Sequence, residues 1–305
     1  MHLFFQGTDP LKKNNSRDRE VPAKQTKGEY TMVIQHNIAA TNSYRNLSIN
    51  QGNLNKNLEK LSSGYRINRA ADDAAGLAIS ESMRSKINGL TQAEANANDA
   101  IGLIQTEEGA LTETHSMLQR MTTLATQAAN GTYSKDDEGA IARSNIQLEI
   151  DELKDEITRI AQNTKYNGLE PLNNSNQIKL QVGPTSKEVV TISGKLMTAS
   201  ALSVNALNMK SVSGANSAIT KIKKAINTVS GYRAKLGAKQ NRLEHTINNL
   251  KVTNENVSAA ESRIRDTDMA KEIAEYSKNN VLQQAAQSML AQANQTPQGV
   301  LSLLR

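Results

Sequence analysis

Apolar residues return every three or four positions along most of this chain. Tyr44, Leu47, Gln51, Leu54, Leu58 and Leu61 step in this way and predict a first helix, which Ser62-Ser63-Gly64 interrupts. Met83, Leu90, Ala97, Ile104, Leu111, Leu118 and Ala125 then recur at sevens, with Ala93, Ala100, Thr114 and Met121 widening the stripe. At 1.5 Å per residue that seam runs roughly 65 Å. Asn130-Gly131 is expected to close it, glycine being the residue that most readily takes a left-handed cap. Ser134 with Asp137 three positions on has the spacing of a capping box, and Asp136, Asp137 and Glu138 put negative charge at the positive end of the next helix. That helix carries Ile146, Ile150, Leu153, Ile157 and Ile160.

Residues 164–215 lose the helical period. Ile178, Leu180 and Val182 alternate, Gly183-Pro184-Thr185-Ser186 can turn, and Val190 and Ile192 alternate again, which predicts a β-hairpin. The three-four spacing then resumes through Ile219, Ile222, Ile226, Val229, Leu236, Leu243, Ile247, Leu250, Val257 and Ile264, with Arg233, Gln240, Asn254 and Glu261 in the gaps. Polar residues in a seam trade stability for register, so this helix reads as built for a specific partner. Met269, Ile273, Tyr276, Leu282, Ala286, Met289 and Ala293 continue as an amphipathic helix until Pro297. Neither end can bury its stripe alone, and packing the first half against the last is the simplest solution. The expected fold is therefore mostly α, with long antiparallel coiled-coil helices from both chain ends and a small β-hairpin region in the middle.

Composition narrows this further. Only 3% of the 305 residues are aromatic, and there are five Pro and seventeen Gly, too little punctuation for many-stranded β. Residues 1–31 alternate Lys and Arg with Asn, Ser, Asp and Glu, without apolar spacing, and read as a disordered extension. No apolar run approaches the ~20 residues of a membrane-spanning helix, so membrane insertion is not expected. Lys and Arg total 36 against 30 Asp and Glu, a net charge of +6 whose signs look mixed along the chain, and nucleic acid is not an expected partner.

Catalytic chemistry finds little to stand on. No Cys is present, which removes thiolate nucleophiles, disulfides and thiolate metal sites. His2, His36, His115 and His245 are far apart, and no phosphate-binding glycine loop or nucleophile elbow occurs. Asp72-Asp73 and Asp136-Asp137 each precede a helical run, where capping is the expected role rather than acid-base work. No catalytic, cofactor-binding or metal-ligating residue is expected. About fifty residues between 164 and 215 are too few for an inserted catalytic domain.

The stretch from Leu61-Ser62-Ser63-Gly64-Tyr65-Arg66-Ile67-Asn68-Arg69-Ala70-Ala71-Asp72-Asp73 to Ser80 resembles the N-terminal signature of bacterial flagellin. Gln240 to His245, Ala260 to Asp266 and Pro297 to Arg305 resemble its C-terminal half, and Met32 to Ala39 resembles its start, which makes residues 1–31 foreign to the family. The resemblance implies a secreted, extracellular, structural subunit of the flagellar filament, exported by the flagellar type III system. It implies residues 32–74 and 266–305 as the two halves of an inner filament-core domain and 75–265 as a helical rod. Leu47, Leu54, Leu58, Leu61, Ile273, Leu282, Met289 and Leu290 are then the filament-core positions. The implied partners are further copies of the chain, an export chaperone on the C-terminal helix, and hook-filament junction and cap proteins. Leu118-Gln119-Arg120-Met121-Thr122-Thr123-Leu124-Ala125 also resembles the family segment bound by Toll-like receptor 5, with Glu149 as its acidic partner on the next helix. Arg120, Leu124 and Glu149 are accordingly the expected receptor-binding residues, although Thr122-Thr123 stands where the family has an Arg-Glu pair.

Overall fold

A computed structural model describes residues 36–132 and 137–303. Five helices and one hairpin follow in order: α1 Ile38–Ser63, α2 Ala74–Ala128, α3 Asp137–Asn163, β1 Gln177–Gln181, β2 Val189–Ser193, α4 Val212–Arg265 and α5 Met269–Leu303. The expected mostly-α fold with a small central hairpin is the one observed. The chain divides into two units, one made from residues up to Lys56 together with those from Glu275 onward, the other running from Asn57 to Ala274.

Local chemistry explains where the helices begin and end. The Asp73 carboxylate accepts the Gly76 amide at 2.8 Å and caps α2, while Asp72 Oδ2 accepts the amides of Asn68 and Arg69 in the preceding turn. This pair thus serves orphan backbone donors, as expected. Ser211 caps α4 in the same way through Gly214 N. Gly64 follows α1 with φ +75, a conformation that costs a side-chain-bearing residue energy. At the end of α2 the expectation fails: the cap is Ala129 in right-handed geometry, its amide bonded to Ala125 O, and Gly131 has no positive φ. A final tight turn, Asn130 N to Gln127 O, consumes the last carbonyls instead. α5 also departs from expectation, continuing through Pro297. The carbonyl that proline leaves without an amide, Ala293 O, accepts Asn37 Nδ2 and Thr296 Oγ1 instead. Ser134 of the expected capping box and the neighbouring Asp136 lie outside the described residues, as does the extension 1–31.

The larger unit is built on α2, 55 residues and about 82 Å long, packed antiparallel against α4. Cross-helix pairs fix the direction: Thr91 with Asn254, Glu94 with Lys251, Glu108 with Arg233, and Glu81 with Arg265. The seven-residue spacing of α2 is seen directly, since Leu90, Ala97, Ile104, Leu111, Leu118 and Ala125 are all buried, as are Ala93, Ala100, Thr114 and Met121. On α4 the row Ile222, Val229, Leu236, Leu243 and Leu250 is buried as expected. Its companion row differs. Ala218, Ala225 and Tyr232 go inside, while Ile219 and Ile226 only flank the core. The core there also takes in Met197, Val204, Leu207 and Met209 from the irregular segment, and alanine at the closest approach leaves room for them. α3 adds Ile146, Ile150, Ile157 and Ala161. The hairpin pairs Ile178 with Ile192 and Leu180 with Val190, and buries Val190 and Ile192 in the same core.

Candidate functional site

Three arrangements stand out. The first is on the terminal helices. Within the unit that joins them, Asn37 Nδ2 donates to Ala293 O at 2.7 Å, Asn50 Nδ2 donates to Leu282 O at 3.4 Å, and Gln283 Nε2 meets Gln51 Oε1. The packed face of α1 carries Ser43, Leu47, Asn50 and Leu54; that of α5 carries Tyr276, Asn279, Gln283, Ala286, Leu290 and Ala293. Tyr44, Ile49, Val281, Leu282 and Met289 point to solvent, Tyr44 and Val281 at 65% exposure. Amides and a hydroxyl thus share the packed faces with Leu47, Leu54 and Leu290, while other large apolar side chains that an isolated soluble helix pair would bury face water. The periodicity predicts Tyr44, Gln51 and Leu58 on the packed seam; in the structure Ser43, Asn50 and Asn57 are the more buried positions, and of the predicted three only Gln51, itself exposed, reaches across to Gln283. Of the eight filament-core positions, Leu54 is buried, Leu47, Leu61 and Leu290 are half-buried, and Leu58, Ile273, Leu282 and Met289 are exposed.

The second arrangement contains the three receptor-motif residues. Arg120 Nε and Glu149 Oε1 pair at 2.7 Å between α2 and α3, with both side chains substantially exposed. Leu124 does not join them at the surface. It is 2% exposed, because it lies on the α2 face that packs into the core, so it cannot anchor an external partner in the folded chain.

The third was not foreseen. Glu107 is fully buried on α2, and Tyr232 Oη on α4 lies 3.0 Å from its Oε2 and 3.1 Å from Ser193 O at the end of β2. One hydroxyl proton cannot serve two acceptors. With Glu107 protonated, the acid donates to Tyr232 Oη and Tyr232 donates to Ser193 O, which satisfies the whole chain. Burial pushes the Glu107 carboxyl up to about 7, against a smaller lowering by the Tyr232 hydrogen bond. The tyrosine is raised as well, by burial first and by the carboxylate second. Among the described residues Glu107 Oε1 has no hydrogen-bond partner.

Profiles of known families match both halves of the chain: the bacterial flagellin N-terminal helical region at residues 34–177 and the bacterial flagellin C-terminal helical region at residues 219–304. The chain belongs to the bacterial flagellin family. The flagellin of Bacillus subtilis (strain 168) is 49% identical over a 308-residue alignment that spans 90% of this chain and all of the relative. That of Halalkalibacterium halodurans is 50% identical over 277 residues with the same coverage. The crystal structure of Bacillus cereus flagellin, 33% identical, superposes with a TM-score of 0.46 over 51% of this chain and 88% of that one.

As a flagellin the chain is a structural component of the flagellar filament and not an enzyme. The mixing of charge expected along the chain does not hold in its middle. Between residues 171 and 243 there are eleven Lys and Arg and a single carboxylate, Glu188. The basic residues therefore gather on the hairpin segment and the first half of α4.

Proposed function

We propose that the outward apolar rows of the terminal helices are the surfaces that neighbouring copies bury when this flagellin stacks into a filament. The observation that carries this is that Tyr44, Ile49, Val281, Leu282 and Met289 face outward while Ser43, Asn50, Asn279 and Gln283 take up part of the packed face. Exposed apolar rows of that extent favour burial against another surface. A contact between different faces of identical subunits, repeated by rotation and rise, builds an open helical array. Residues 32–74 and 266–305 act in this reading as the inner filament-core halves and 75–265 as the rod. Delivery through the flagellar type III system to an extracellular filament, an export chaperone covering Leu282 and Met289 before assembly, and junction and cap proteins at the filament ends complete the reading. The test is seeded growth followed by light scattering. Met289→Lys and Tyr44→Asp should leave monomer helicity within a few per cent of the parent while raising the concentration needed for growth by about 100-fold, since each places a charge where apolar surface is buried. Normal growth of both variants would overturn the assignment.

A second reading concerns Toll-like receptor 5, favoured by the exposed Arg120–Glu149 pair on adjacent helices. We infer that these two groups, without Leu124, form the receptor contact, the guanidinium offering a planar fork of donors. Arg120→Ala and Glu149→Ala should each reduce receptor-reporter activation about tenfold or more. Leu124→Ala belongs to a different experiment, because removing a buried leucine costs about 2–5 kcal/mol of stability. Responses to the two surface variants equal to the parent would remove this reading.

A further inference from the structure

A cavity of about 200 Å³ opens between the end of β2 and α4, inside the larger unit. Ile192, Leu236 and Tyr232 line it together with three lysines, Lys195, Lys235 and Lys239. No carboxylate is among the lining residues. Lys239 Nζ is held by Thr191 O at 2.5 Å, which fixes that cation at the rim. Among the described residues neither the Lys195 nor the Lys235 ammonium group has a hydrogen-bond or ion-pair partner, a property they share with other exposed lysines such as Lys223 and Lys224, so what sets them apart is their place beside the cavity. The cavity also sits within the stretch where eleven basic residues face one acid.

We propose that this cavity binds a small organic phosphate of the sugar-phosphate class. Two free ammonium groups match the two charges of a phosphate monoester, and lysine binds phosphate as a point charge rather than as a fork. The volume lies below the roughly 300–1,000 Å³ of drug-sized sites, so the ligand is compact. Ile192, Leu236 and Tyr232 are buried and form the floor, while the exposed Lys195 and Lys235 offer methylene stems along which the body of a sugar can lie and which bare phosphate would leave unused. The carboxyl behind Tyr232 subtracts little from the positive field, since it stays protonated up to about neutrality.

Isothermal titration of the full chain with glucose 6-phosphate, inorganic phosphate and glucose tests this. One equivalent of glucose 6-phosphate should bind saturably, at about 1 mM or tighter. The double variant Lys195→Gln/Lys235→Gln should weaken it about tenfold or more, whereas Lys223→Gln/Lys224→Gln, which removes two exposed charges elsewhere on α4, should leave it unchanged. Absence of saturation, or equal weakening in both double variants, would overturn the site. Inorganic phosphate or glucose binding as tightly as the ester would overturn the ligand class.

Discussion

Glu107 shows how a single position can be both legible and missed. It falls in the row Ala93, Ala100, Thr114, Met121, seven residues from each neighbour, so its burial follows from the same spacing that identifies the helix. What the spacing cannot supply is the partner, because Tyr232 is 125 positions away and meets it only through the packing of α2 on α4. A pH dependence follows with a definite sign. The folded chain holds the Glu107 proton up to about 7, against an ordinary value of 4.5, so between those values it binds more protons than the unfolded chain. Stability therefore falls as pH rises through this window and stays at the lower level above it, by about 3 kcal/mol in all. In Glu107→Gln the amide can still bond Tyr232 and no longer ionises. Urea midpoints measured at pH 4.5 and pH 8 should show the variant gaining about 3 kcal/mol relative to the parent at the higher pH, and parallel behaviour of the two chains would refute the linkage.

The helices differ in how much their patterns reveal. α2 reads clearly because its inward positions are apolar almost without exception and its outward ones are polar. The same logic misassigns α1 and α5. Periodicity treats apolar as inward, and here Tyr44, Leu58, Leu282 and Met289 face outward while Ser43, Asn50, Asn57 and Asn279 take the packed positions. On α4 the buried alanines carried too weak an apolar signal to compete with Ile219 and Ile226 one position away. Helices whose contact mixes amides and a hydroxyl with leucine and alanine gain less from pairing than helices joined by leucine and isoleucine throughout. Amides at 40–56 and 276–299 should accordingly exchange with deuterium at least about 100-fold faster in the monomer than those of Ala97–Ala125, and should slow in the filament. Equal protection of the two sets in the monomer would contradict the polar-seam account.

At the scale of the molecule, the β-hairpin, the length of α2 and the antiparallel pairing of early and late segments are all implied by where the helical period stops and resumes. The division at Lys56 and Glu275 is not, because α1 and α5 each run through it without a change of pattern. The larger unit rests on apolar packing between segments distant in sequence, chiefly α2 against α4, whose register is marked by Arg233 with Glu108 and Asn254 with Thr91. A fragment ending at residue 211 should thus show a small fraction of the parent's helicity and be digested rapidly by protease, and adding residues 212–303 as a separate peptide should restore protection. A stably helical fragment would show that α2 and α3 suffice.

The same nesting sets a rule for how the chain is made. α2 leaves the ribosome long before the first turn of α4, and for that interval Leu90, Ile104, Leu111 and Leu118 have no surface from α4 to bury them. A chain stopped before residue 212 therefore holds the α2 stripe without the face that covers it, and arrival of the late segment, rather than of the early one, sets when the larger unit can close its core.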